Sequence, residues 1–145
     1  MTHRIKVLLV EDNQADVELM TETMEMSKIL CDLAVVNDGE QALKYLRREG
    51  DEYANASRPD LIFLDLNLPM VSGYEVLEVI KNDDSLKKIP VVILTSSTAE
   101  EDICNSYNLH ASAYVNKPVD LTGFSQIVQA IDDFWLTVVK YPKKK

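Results

Sequence analysis

Leu61-Ile-Phe-Leu-Asp65-Leu-Asn-Leu-Pro69 decides the fold of this chain. Four apolar residues in a row, without polar alternation, suit a strand covered on both faces, and such strands belong to parallel sheets. Asp65 ends the run. A carboxylate directly after a buried strand is held on a rigid edge and faces out of the sheet. Three other apolar runs end in the same manner. Ile5–Val10 leads into Glu11-Asp12, Val91–Leu94 into Thr95, and Ala113–Val115 into Lys117. With the strands parallel, three carboxylates, a hydroxyl and an ammonium gather on one rim.

Helical patterns fill the spaces between these runs. Asn13 is placed to cap a first helix, with Asp16 in its first turn, where the helix dipole favours a carboxylate. Val17, Met20 and Met24 follow at helical spacing. Leu33–Val36 reads as a second strand, and Asn37-Asp38-Gly39 as the turn and cap before a second helix that carries Ala42, Leu43 and Leu46 on one face. Residues 50–59 read as a polar linker. Pro59 biases Arg58 away from helix, and Asp60 opens the third strand. Pro69 and Gly73 bracket a loop before a third helix marked by Val76, Leu77 and Ile80. Ser97-Thr98 caps a fourth helix whose first turn holds Glu100, Glu101 and Asp102. A fifth carries Phe124, Ile127, Val128, Ile131, Phe134, Trp135 and Val138 at i, i+3, i+4 spacing. Five strands alternating with five helices predict an α/β fold. It is a doubly wound, five-stranded parallel sheet of order 2-1-3-4-5, flavodoxin-like, with its ligand site at the carboxyl ends of the strands.

At 145 residues and 46% hydrophobic content the chain is expected to form one domain with a full core. The expected core spans about 4–133, with a helical extension and tail over 134–145. The tail ends in Lys143-Lys144-Lys145, which reads as solubilising. A net charge of −9 argues against direct nucleic-acid binding. Cys31 and Cys104 show no metal-ligand spacing and read as core thiols in a reducing compartment. No run approaches the length of a membrane span, and the chain enters a strand at once without a signal-peptide core, so a cytoplasmic location is expected.

Three carboxylates on one rim repel one another. A hard divalent cation relieves that repulsion, and an all-oxygen ligand set suits magnesium, with manganese as a substitute. Asp12 and Asp65 are the expected direct ligands, with Glu11 acting through water and the backbone carbonyl of Asn67 completing the protein share. The same cation makes Asp65 a usable nucleophile toward a phosphoryl group. Of the transferring oxygens, one goes to the metal, one to Lys117 and one to the Thr95 hydroxyl. Each residue alone has a plainer reading. Glu11-Asp12 suits a helix N-terminus, Thr95 a strand end, Tyr114 a half-buried strand and Lys117 an ordinary surface. The plainer readings leave the joint placement unexplained.

These residues resemble the receiver domain of two-component response regulators over nearly the whole chain. The resemblance rests on Glu11-Asp12 after the first strand, Asp65-Leu-Asn-Leu-Pro-Met-Val-Ser-Gly73 after the third, Thr95-Ser-Ser after the fourth, and Tyr114-Val-Asn-Lys117-Pro118 at the fifth. It implies that Asp65 is the phosphoacceptor, charged from a phosphohistidine on a sensor histidine kinase. It implies magnesium at Glu11, Asp12, Asp65 and the Asn67 carbonyl, and Lys117 against the phosphoryl group. It further implies that Thr95 and Tyr114 form the conformational switch, that Asn67 and Ser97 tune phosphoryl lifetime, and that the Lys117-Pro118 bond is cis. The linker Arg47-Arg-Glu-Gly-Asp-Glu-Tyr-Ala-Asn-Ala-Ser-Arg-Pro59 and the ending Phe134-Trp-Leu-Thr-Val-Val-Lys-Tyr-Pro142 resemble small cyanobacterial regulators paired with phytochrome kinases. No output domain follows the fifth helix, so output through protein contacts is expected. Phe134, Trp135, Leu136, Val139 and Tyr141 are candidates for a homodimer contact across the fourth helix, fifth strand and fifth helix.

Three other functions share parts of this pattern. A haloacid-dehalogenase-like phosphatase also pairs an aspartyl nucleophile with magnesium, but it needs a second acid two residues on, where this chain has Asn67. A flavin mononucleotide binder needs a phosphate cradle after the first strand, which Glu11-Asp12-Asn13 would repel. A pseudo-receiver used only for docking has no need of the complete set of site residues.

Overall fold

A computed structural model describes residues 4–27, 30–95, 113–117 and 119–134. The described elements are β1 (Ile5–Val10), α1 (Gln14–Met26), β2 (Cys31–Val36), α2 (Gly39–Arg47), α3 (Gly50–Tyr53), β3 (Leu61–Asp65), α4 (Gly73–Lys81), β4 (Val91–Thr95), β5 (Ala113–Asn116) and α5 (Leu121–Phe134). The sheet runs β2-β1-β3-β4-β5 with every pair parallel, as the alternation predicts. The fourth helix expected after Ser97-Thr98, Cys104, Pro118 and Trp135 onward lie outside the described residues.

Local chemistry sets the helix starts. The Asn13 side chain accepts from the Asp16 N–H at 3.0 Å, and Asp38 accepts from Gln41 at 2.7 Å. Ser72 and Glu75 form a reciprocal capping box at α4. Asp120 accepts from the Gly123 N–H at 2.7 Å where α5 begins. Each cap satisfies a backbone donor that the first helical turn leaves over.

Strand parity divides the core into two layers. Leu8, Val10, Ile62, Leu64, Val91 and Ile93 point to one side, where Ala42, Leu46, Val76, Leu77 and Ile80 of α2 and α4 cover them. Ile5, Val7, Leu9, Leu61, Phe63, Val92 and Leu94 point to the other, beneath Met20, Met24 and Phe124 of α1 and α5. Phe63 and Phe124 stack there with ring centroids 6.1 Å apart. Every residue of β3 is buried, which is why its sequence shows no alternation.

Four expectations need correction. The 50–59 segment is not all linker, because Gly50–Tyr53 forms the short helix α3, and Tyr53 meets Tyr45 edge to face at 5.6 Å. The second strand begins at Cys31, and the third begins at Leu61 rather than Asp60. Cys31, the first residue of an edge strand, is only half-buried and packs against the α1/α5 layer of the core rather than within it.

Gly73 fixes the segment after β3. A Cβ there would lie 2.3 Å from the Asp65 carbonyl oxygen and 2.5 Å from the Leu66 Cα. Both are backbone atoms that cannot swing aside. Gly73→Ala is therefore expected to destabilise the protein by about 1–3 kcal/mol, as overpacking does. A lowered urea midpoint with an unchanged slope would bear this out, and an unchanged midpoint would refute it.

Candidate functional site

The register brings the strand ends level. Val10 pairs with Leu64, Asp65 with Leu94, and Thr95 with Asn116. Glu11 and Asp65 continue the parity of Leu9 and Phe63, and Lys117 that of Val115. All three thus stand on the α1/α5 side of the sheet. The polar rim expected from the four strand ends forms from Glu11, Asp65 and Lys117, and from Asp12 beside them.

Lys117 occupies the centre. Its Nζ donates to Glu11 Oε1 at 3.1 Å, Asp16 Oδ2 at 3.1 Å and Asp65 Oδ2 at 3.2 Å. An ammonium has three donors, and the three carboxylates use them all. Glu11 is 1% exposed and Asp65 3%, whereas the side chains of Asp16 and Lys117 retain 27% and 21%. Backbone donors hold the other carboxylate oxygens. The Asn13 N–H donates to Glu11 Oε2, and the Asn67 N–H to Asp65 Oδ1, each at 3.1 Å.

Charge is unevenly compensated here. Burial pushes the Glu11 carboxyl up, and its hydrogen bond to Asp65 and the Asp65 charge add to the effect. The Asn13 N–H and Lys117 pull it down, and the result is a value of about 7. Burial pulls Lys117 down, but its bonds to Asp16 and Glu11 and the nearby charges of Asp65 and Glu11 outweigh that and hold it above its ordinary value. Lys117 therefore stays an ammonium at neutral pH, while Glu11 holds its proton more tightly than an ordinary carboxyl. Carboxylate oxygens of Glu11, Asp12 and Asp65 all lie within 4.8 Å of one another, which suits a hard divalent cation bound by oxygen.

Asp16 is the site residue that sequence reasoning missed. Its place in the first turn of α1 satisfied a helix-dipole account, and its partner lies 101 residues away. No local spacing announces such a contact. Asp12 is exposed and Glu11 buried, so the more enclosed carboxylate of the pair is Glu11. Tyr114 is half-buried against the α2/α4 layer, on the opposite side of the sheet from Lys117. The Thr95 side chain, Ser97 and Pro118 lie outside the described residues, as do the Phe134 side chain and Trp135, Leu136, Val139 and Tyr141.

Comparison with known proteins agrees with this geometry. The response regulator receiver domain family matches residues 7–131. The response regulator Rcp1 of Synechocystis sp. is 46% identical over 136 residues, which cover 94% of this chain and 92% of that protein. The crystal structure of the phosphorylated cyanobacterial phytochrome response regulator RcpA superposes with a TM-score of 0.76 at 50% identity, covering 93% of this chain and 96% of that one. The Mn(2+)-bound form of Rcp1 superposes with a TM-score of 0.73 at 45% identity, covering 92% and 96%.

The raised Glu11 carboxyl has a consequence for stability. Glu11 holds its proton more tightly in the folded protein than in the unfolded chain. Its stabilising contribution is thus fully present below its ordinary 4.5 and is lost as pH rises through about 7. In chelator, Glu11→Gln is expected to match wild type at pH values below that window. The variant's advantage in urea midpoint should then grow with pH and level off above the window. A variant less stable than wild type on the alkaline side would overturn this account.

Proposed function

This chain belongs to the response regulator receiver domain family, and on that premise we propose that Asp65 is its phosphoacceptor, charged from the phosphohistidine of a sensor histidine kinase. The observation that carries the reading is the convergence of Glu11, Asp65 and Lys117 at the strand ends, with Lys117 within 3.2 Å of both carboxylates. An Asp65 oxygen attacks phosphorus, the phosphorus–nitrogen bond breaks, and its electron pair stays on the imidazole nitrogen, which then takes a proton. The Asn67 N–H fixes one oxygen of Asp65 and so sets the direction of attack. Lys117, held as an ammonium, exchanges its bond to Asp65 for one to a phosphoryl oxygen.

Glu11, Asp12, Asp65 and the Asn67 carbonyl would hold magnesium, or manganese in its place; the short separation of the three carboxyl groups supports their share, and the manganese-bound Rcp1 supports a divalent cation. The ion supplies neutralising charge to the phosphoryl oxygens and relieves the repulsion between the carboxylates. The protein is a signalling phosphoacceptor, not a turnover enzyme, and loss of the phosphoryl group to water is catalysed by the same pocket. Asn67 and Ser97 set the rate of that loss.

The same reading assigns the switch to Thr95 and Tyr114. The Thr95 hydroxyl moves to the phosphoryl group, Tyr114 turns inward, and the surface around β5 and α5 changes. It takes Lys117-Pro118 as cis, and residues 4–133 as the core of one cytoplasmic receiver domain. A phytochrome kinase is the proposed input, supported by the likeness to RcpA. Output runs through protein contacts, including a homodimer through Phe134, Trp135, Leu136, Val139 and Tyr141, with no nucleic acid or membrane bound directly. Among the described residues no helix is long and apolar enough to cross a membrane.

Acetyl phosphate with magnesium is expected to give a single phosphoryl adduct by intact mass, absent in Asp65→Asn. Lys117→Ala should slow its formation by about 100-fold or more, the usual loss for one donor to developing charge. Adduct on Asp65→Asn would sink the assignment. Tyr114→Ala should take up the phosphoryl group normally yet lose the change in kinase affinity that follows. Analytical ultracentrifugation with and without a phosphoryl mimic tests the dimer, and a monomer under both conditions removes it.

A further inference from the structure

The position of Asp16 is unused by the account above. We infer that Asp16 is a positioning residue for Lys117, anchoring the ammonium from the α1 side while one of its other donors is handed to the phosphoryl group. The inference rests on the phosphoacceptor reading of Asp65.

A closed ring of four bonds carries it. The Asn13 N–H donates to Glu11 Oε2, the Asp16 N–H to Asn13 Oδ1, Lys117 Nζ to Asp16 Oδ2, and Lys117 Nζ again to Glu11 Oε1. The cap that starts α1 and the anchor that fixes Lys117 are thus parts of one ring. A first-turn aspartate serves the helix dipole equally well with its carboxylate in water. Here the carboxylate instead accepts from Lys117 at 3.1 Å and is three-quarters covered, at 27% exposure.

Asp16 also differs in kind from the other two partners. Glu11 and Asp65 belong to the group of carboxylates close enough to share a cation, and Asp16 does not. Those two face a redistribution of charge when a cation binds and when Asp65 is esterified. Asp16 faces neither, so its bond to Lys117 persists through both events. A lysine side chain has four rotatable bonds, and an ammonium tied on one side only would sample many positions above the rim. Tied to Asp16 and Glu11 together, Lys117 needs to redirect one donor of three.

The test compares Asp16→Ala with Asp16→Asn, which retains an accepting oxygen. At saturating magnesium and acetyl phosphate, Asp16→Ala is expected to form adduct about tenfold more slowly, and Asp16→Asn to recover most of the loss, as for a misplaced catalytic group. Magnesium affinity should stay within about twofold of wild type in both, since Asp16 lies outside the carboxylate cluster. In the metal-free protein, the exchange-protected Nζ signal of Lys117 in lysine-labelled samples should be present in wild type and Asp16→Asn, and lost in Asp16→Ala. A helix-dipole role alone predicts the opposite pattern, with Ala and Asn behaving alike because both lack the charge. An Asp16→Ala rate equal to wild type, equal losses in both variants, or a magnesium affinity weakened in proportion to the rate would each overturn the inference. A wild type that takes up no phosphoryl group overturns the phosphoacceptor reading first. The Lys117 signal distinguishes that failure, because it reports the anchor without any transfer.

Discussion

The site depends on one ammonium placed among carboxylates that outnumber it. Lys117 meets Glu11, Asp16 and Asp65 at 3.1–3.2 Å, with Asp12 close by. One positive charge does not balance four acidic groups, and burial first, with the neighbouring Asp65 adding to it, pushes the Glu11 carboxyl above its ordinary value. Native stability is a small difference between large terms, and a fold can hold such a conflict only where its surroundings are over-determined. Here the surroundings are three adjacent parallel strands, β1, β3 and β4, whose residues are almost wholly buried. The closely packed core opposes the relaxation that would let the carboxylates part. Cation binding and the proposed esterification of Asp65 would both act on this imbalance, and so would change the site far more than they would change a neutral surface.

The fold was legible because its central strands leave little room for a different reading. A run such as Leu61–Leu64 is too short for a helix of ordinary length and too apolar for an exposed strand. Its repetition before Glu11, Thr95 and Lys117 then sets a parallel sheet with one polar end. Legibility falls where a contact is long in range or a pattern is weak. Gly50-Asp-Glu-Tyr53 has the composition of a loop, and its single helical turn owes more to the packing of Tyr53 on Tyr45 than to propensity. Asp16 had a sufficient local explanation, so nothing in its neighbours pointed to Lys117. The half-buried state of Cys31 follows from its place near the start of an edge strand, and edge position is a property of sheet order rather than of the residues beside it.

Parity along the strands has a further physical consequence. Glu11, Asp65 and Lys117 stand on the α1/α5 side of the sheet, whereas Tyr114 packs into the α2/α4 layer on the other side. Asp65 and Tyr114 are therefore separated by the sheet itself. The register relates the two positions. Asp65 is level with Leu94, Leu94 with Val115, and Ile93, one place back on β4, with Tyr114. Leu94 and Ile93 are both buried and face opposite layers, so a shift in β4 is felt on both sides at once.

A coupling element must have two discrete arrangements if a local change is to be read at a distance. Close-packed layers favour such discreteness, because a side chain in a dense core moves between rotamers and does not slide. Tyr114, the residue to which the proposed reading gives this role, is half-buried on a strand whose neighbour β4 is enclosed on its other edge by β3. Its side chain is half-buried and packs against the α2/α4 layer. Lys117 lies three residues further along the same segment and is tied to α1 through Asp16. The end of β5 is thereby anchored to the α1/α5 layer by charge, while Tyr114 anchors the same strand to the α2/α4 layer by packing. On the proposed phosphoacceptor reading, a phosphoryl group that redirected one donor of Lys117 would alter the first anchor, and β5 joins that anchor to the second.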